Sequence, residues 1–150
     1  MKISNINEWL TFLANLGVIA GIIFLSIEIN QNSKMMASQT RSELSQSIMY
    51  FTEQRRDPRI VEAYRKRAMG EDLQFEDLYL LNSLNETNFQ MWSNTYFQYQ
   101  NGLYSEVDFE SETRIWRRVM INDRNMQDTW ANRRLNYSPV FRAIIDEMIQ

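Results

Sequence analysis

Three groups of residues have the type and spacing to do chemistry. Gly17 and Gly21 stand one helical turn apart in an apolar N-terminal stretch, and at 100° per residue Ala14 and Glu28 share their face. Small residues at this spacing let two membrane-spanning helices bring their backbones close. A polar stripe of Glu8, Thr11, Asn15 and Ser26 lies roughly 120° round the same helix by that geometry. Together with Glu28 it offers groups for interhelical hydrogen bonds or for the lining of a water-filled pore. The third group is Arg114, Arg117 and Arg118, one turn apart, which can contact a phosphate, a nucleotide or an anionic lipid headgroup.

What the chain lacks is equally informative. It contains no His and no Cys. That excludes His-based triads, His-ligated zinc, iron or haem, thiolate nucleophiles and disulfides. With only four Gly and two Pro there is little material for phosphate-cradling loops, and neither G-x-G-x-x-G nor a Walker-type run occurs. The acid–base groups left are carboxylates, Lys and Tyr, and most carboxylates fall on polar faces or at helix caps. No carboxylate has the helical spacing to His that di-iron bundles use. The expectation is a non-enzymatic protein with no cofactor and no metal. A net charge of −3 argues against a nucleic-acid partner.

These groups need elements to position them. Trp9 to Ile27 is an uncharged run of about nineteen residues, bracketed by Glu8 and Glu28, which is the length an α-helix needs to cross a bilayer. Its Leu, Ile, Phe and Val side chains contribute about −5 kcal/mol of insertion free energy, partly offset by Thr11, Asn15, Ser26 and the glycines. Trp9 sits where an interfacial aromatic anchor belongs. A cleaved signal peptide fits less well: the basic leader is Lys2 alone, the apolar run is long, and no A-x-A site follows. Lys2 on one side and Lys34 and Arg41 on the other barely set the orientation, Arg55, Arg56 and Arg59 lie beyond the reach of the rule, and the expectation is a cytoplasmic C-terminal domain.

The rest reads as helix throughout. Residues 1–8 form a short tail, 9–29 the transmembrane anchor, 30–54 a polar juxtamembrane helix carrying Ala37, Leu44, Ile48 and Phe51, and 55–150 a helical bundle. Asp57-Pro58 opens a helix with Ile60, Val61, Tyr64 and Ala68 inside, closed by Gly70. A longer helix over 73–101 shows Leu78, Leu81, Leu84, Trp92, Tyr96 and Tyr99 on its apolar face and ends at Gly102. Ser105-Glu106-Val107-Asp108 reads as a capping box, and Asn125-Met126-Gln127-Asp128 repeats the device. Ser138-Pro139 opens a last helix with Phe141, Ile144, Ile145 and Met148 on one stripe. The aromatics Trp92, Tyr96, Phe97, Tyr99, Tyr104, Phe109, Trp116 and Trp130 are expected in the core rather than around a ligand. The fold class is therefore all-α, one N-terminal transmembrane helix continuing into a bundle of about five helices. Charge comes in blocks, basic over 55–67 and 114–134, acidic over 71–77 and 106–112, which neutralise one another within a bundle or between copies.

Leu25-Ser26-Ile27-Glu28-Ile29-Asn30-Gln31-Asn32-Ser33-Lys34 resembles the Q-I-R-Q-N-T-like motif that follows the hydrophobic segment in a family of short bacterial membrane proteins. Trp130, Arg133-Arg134 and Tyr137-Ser138-Pro139-x-Phe141-Arg142 resemble that family's closing motif, and Phe97-x-Tyr99-x-x-Gly102-Leu103 its middle. Asn30 stands where the family often has Arg. The resemblance spans nearly the whole chain and implies a single-pass protein of the bacterial inner membrane. The expectations are membrane lipid as surroundings, a homo-oligomer, and a scaffold role towards an as yet unidentified protein partner. The alternative is an oligomeric effector whose helical domain senses a ligand or stress and whose anchors open a pore.

Overall fold

The computed structural model describes residues 3–150, with side chains from Ile6 onward. It consists of six α-helices and a single 3₁₀ turn, with no strand among the described residues. Two compact units divide the chain, Met1–Ser38 and Gln39–Gln150. The first helix, α1 (Ile3–Gln54), contributes to both. It is helical from Ile3, so residues 3–8 of the expected tail are part of it, while Met1 and Lys2 lie outside the described residues.

Throughout the anchor stretch α1 buries nothing. Ile19, Ile22 and Phe24 are each more than half exposed, as are Leu10, Phe12 and Leu13. A helix apolar all round and uncovered has its backbone polar groups satisfied within itself, the form a chain takes in hydrocarbon. Among the described residues, one helix is thus long and apolar enough to cross a membrane.

The second unit is built from strong local stop and start signals. Asp57 caps α2 (Pro58–Met69), accepting the Arg59 N–H at 2.9 Å, and Pro58 loses no hydrogen bond in the first turn. The Arg59 guanidinium returns to the same carboxylate and holds its pKa down at about 2. At the other end Gly70 takes φ +70°, and the Glu71 N–H reaches the Lys66 carbonyl at 2.9 Å. The same left-handed exit recurs at Gly102 after α3 (Phe75–Gln100), where the Leu103 N–H bonds the Gln98 carbonyl. Ser105 caps α4 (Glu106–Asn122) through the Asp108 N–H at 3.1 Å. Ser138 caps α6 (Pro139–Ile149) through the Phe141 N–H at 3.3 Å.

The start of α5 (Arg124–Arg133) departs from expectation. Its cap is Asp123, which accepts the N–H groups of Asn125 and Met126, and Asn125 lies inside the helix. The Asn125 side chain is engaged instead with α3, through Asn82 and Asn85.

One aromatic core joins α3 to α6. It is formed by Phe89, Trp92 and Tyr96 of α3, Phe109, Trp116 and Met120 of α4, Met126 and Trp130 of α5, and Phe141, Ile145 and Met148 of α6. Each set repeats at three, four or seven residues, the spacing of a single helix face. Trp116 is completely buried, stacked on Trp92 at 5.2 Å between ring centroids and met edge-on by Phe109 at 5.6 Å. The Trp130 indole donates to Asp146 at 2.8 Å, and Asp146 also receives Arg134. Four residues expected on the apolar faces are exposed, Val61, Ala68, Leu78 and Phe97; Ile60, Asp77 and Tyr96, each one position before Val61, Leu78 and Phe97, take the buried places. In the C-terminal part of α1, Thr40 and Leu44 are buried while Ile48 is exposed.

Candidate functional site

The small-residue face of the anchor is open. A Cβ placed on Gly17 or Gly21 meets no atom within 4 Å. Ala14, Thr11, Asn15, Ser26 and Glu28 are likewise exposed. Thr11 returns its hydroxyl to the Asn7 carbonyl at 2.9 Å, which removes its donor from outward use. Asn15, Ser26 and Glu28 make no side-chain bond among the described residues, so their polar groups remain available to a neighbour.

The charge blocks resolve unevenly. Arg65 bridges Glu62 and Glu71 at 2.8 and 2.6 Å, Lys66 meets Asp77 at 2.8 Å, and Arg67 meets Asp123 at 2.7 Å. Within the basic block of α2, Arg65 and Lys66 are thus neutralised by the acidic block that follows it, and Arg59 and Arg67 by the helix caps Asp57 and Asp123. Arg133 pairs with Glu86 and Arg134 with Asp146. Arg114, Arg117 and Arg118 do not join this network. Arg114 donates to the Ser111 hydroxyl at 2.8 Å, and all three are exposed without a carboxylate partner among the described residues. The structure does not gather them into one site: Arg118 lines a cleft from which Arg114 and Arg117 are absent.

The shifted titrations follow from these pairs. Lys66, and then the Gln74 backbone N–H, hold the Asp77 carboxyl below its usual 3.8. Arg65 lowers Glu62 and Glu71 in the same way. Burial raises the carboxyl of half-buried Glu112. A carboxyl depressed by folding stabilises the protein fully above its unfolded pKa, and the contribution is lost as pH falls through the folded value. The urea midpoint of the bundle is accordingly expected to fall between about pH 5 and pH 2. Asp77→Asn should flatten that slope, leaving the share due to Asp57, Glu62 and Glu71. An unchanged slope would contradict the role given to Lys66.

Between α3 and α5 runs a seam of amides and hydroxyl that the sequence did not announce. Buried Asn85 donates to Asn125 at 2.6 Å and to Thr129 at 3.1 Å, and Thr129 in turn reaches Asn82 at 3.2 Å. Asn on a polar-looking helix reads as surface, and the sequence offers only the four-residue spacing of Asn125 and Thr129, which puts them on one face of α5. Chemically the seam fixes helix register. It holds no nucleophile beside a base, and no three Asp or Glu side chains converge as metal ligands among the described residues.

Compared with known protein families, with curated proteins and with solved structures, the chain finds no match.

Proposed function

We propose that this is a non-enzymatic single-pass membrane protein of the bacterial inner membrane, which self-associates through its anchor and holds its helical domain at the membrane surface as a scaffold. The observation that carries the reading is the first compact unit itself, a helix whose apolar side chains are exposed on every side from Trp9 to Ile29. In water such a surface has no stable form, whereas in a bilayer it needs no further cover. Self-association is supported by the open Gly17–Gly21 face, since spanning helices gain association energy from close backbone packing rather than from the hydrophobic effect. The basic residues close after the anchor, Lys34 and Arg41, support a cytoplasmic position for the bundle. The shifted carboxyls outside the anchor support a structural assignment for the charges, because each lowered value traces to an arginine or lysine partner.

Gly17→Leu with Gly21→Leu tests the interface. The bulky side chains meet nothing within the chain itself, so the fold is expected to persist, while the close approach of two anchors is blocked. Crosslinking in membranes should fall to the background level of a non-associating span. Crosslinking equal to that of the unmodified protein would remove this face as the contact.

A further inference from the structure

The second unit contains a cleft of about 510 Å³, within the size range of small-molecule sites and far larger than one inorganic anion requires. Five helices contribute to it. Phe51 enters from α1 and Arg55 from the turn that follows it, Tyr64 from α2, Asn88 from α3, Arg118 and Asn122 from α4, and Asp123 from the cap of α5.

Its net charge is positive. Arg55 and Arg118 are exposed, and neither has a carboxylate partner among the described residues. Arg67 stands behind the wall, its guanidinium carbon 5.6 Å from the centre of the Tyr64 ring, with Arg55 at 6.0 Å from the same ring. Asp123 is the cleft's one carboxylate, and its Oδ1 is already engaged by Arg67 at 2.7 Å and by the N–H groups of Asn125 and Met126. Arg67 still keeps its buried Nη1 without an acceptor. Three guanidinium groups against one carboxylate leave two positive charges, the complement of a dianion.

The uncharged walls select further. Phe51, Tyr64, Val119 and Met126 present rings and apolar surface. Asn88 makes no side-chain hydrogen bond among the described residues, and Asn122 uses one amide hydrogen on the Arg118 carbonyl at 2.7 Å. Aromatic faces with side-chain amides nearby suit a flat heterocycle, which stacks through its face and hydrogen-bonds through its edge. Guanidinium groups suit the phosphate of a monoester, which carries close to two negative charges at neutral pH.

We propose that the cleft between Arg55, Tyr64, Asn88 and Arg118 binds a small phosphorylated molecule with a planar ring, of the nucleoside monophosphate class. The site lies wholly within the second unit and does not depend on self-association of the anchors. A lipid headgroup offers the same phosphate without the ring, and inorganic phosphate offers it without any body.

The test uses the full chain purified in a neutral detergent, with binding read by calorimetry and by the shift in melting temperature. The ligands are adenosine, guanosine, cytidine and uridine monophosphate, ribose 5-phosphate and inorganic phosphate. At least one nucleoside monophosphate is expected to bind saturably, about tenfold or more tighter than ribose 5-phosphate. Arg55→Ala and Arg118→Ala should each weaken it about tenfold, the loss of one charge-assisted hydrogen bond. Arg114→Ala, on the same helix but outside the cleft, should bind as the unmodified protein does. Both cleft arginines are exposed, and unaltered melting of the unliganded variants would show that folding is intact. Absence of binding by all four nucleotides, equal binding of inorganic phosphate, or unchanged affinity in Arg118→Ala would each overturn the proposal. Displacement of the nucleotide by phosphatidylglycerol nanodiscs, with no displacement by phosphatidylcholine nanodiscs, would overturn it in favour of a lipid headgroup.

Discussion

Arginine at both Ile19 and Ile22 is expected to move the protein out of the alkaline-resistant membrane pellet. Each arginine at the centre of a span costs about 2.5–3.5 kcal/mol, and each lost isoleucine removes about 0.5 more. The pair therefore costs ~6–8 kcal/mol, more than the ~5 kcal/mol that the apolar residues of the anchor supply. Both side chains are more than half exposed and belong to the first unit, so nothing in the aromatic core is disturbed. The variant should appear in the supernatant or be degraded, while carbonate leaves the unmodified protein in the pellet. Retention of the double variant, or release of the unmodified protein, would contradict the assignment of residues 9–29 as a spanning anchor.

Trp116→Ala is expected to be the most damaging single change in the bundle. The indole is completely buried and touches rings from three helices, Trp92 of α3, Phe109 of its own α4 and Phe141 of α6. Truncating a buried tryptophan costs about 3–5 kcal/mol, a large share of the 5–15 kcal/mol that typically holds a domain together. A fall in melting temperature of ~12 °C or more follows for a small domain. Phe97→Ala is the control. It removes an aromatic ring from the same bundle at a position 61% exposed and should change stability by ~0.5 kcal/mol or less. Equal losses from the two substitutions would mean that the core is not where the structure puts it.

The contrast between Trp116 and Phe97 shows where local reasoning reaches its limit. Helical period locates an apolar face, but Tyr96 and Phe97 are neighbours 100° apart, and only the packing of α4 and α6 decides which one turns inward. Capping was legible where its chemistry is self-contained: Asp57-Pro58, Ser105 and Ser138 each bond an N–H two or three residues on. It failed at Asn125. Asp123 and Asn125 are both competent caps two residues apart, and the choice was made by Asn82 and Asn85, some forty residues earlier in the chain. Phe89 was missed for a related reason, since it extends a stripe that already looked complete in Trp92 and Tyr96.

Charge shows the same division. The acidic block over 71–77 follows the basic block of α2 closely enough for Lys66 and Arg65 to find partners through the short Gly70 turn. That neutralisation could be anticipated from the sequence. The meeting of Arg55 and Arg118 around one cleft could not, because it needs α1, α2 and α4 in register. The arginine triplet of α4 looked like one unit, and tertiary packing divides it.

The most direct test of the central claim is the mass of the native complex extracted into nanodiscs. A single discrete homo-oligomer, reduced to monomer by Gly17→Leu with Gly21→Leu, is the predicted result. A monomer from the unmodified chain, or an oligomer of the same mass from both, would contradict an assembly built on the anchor.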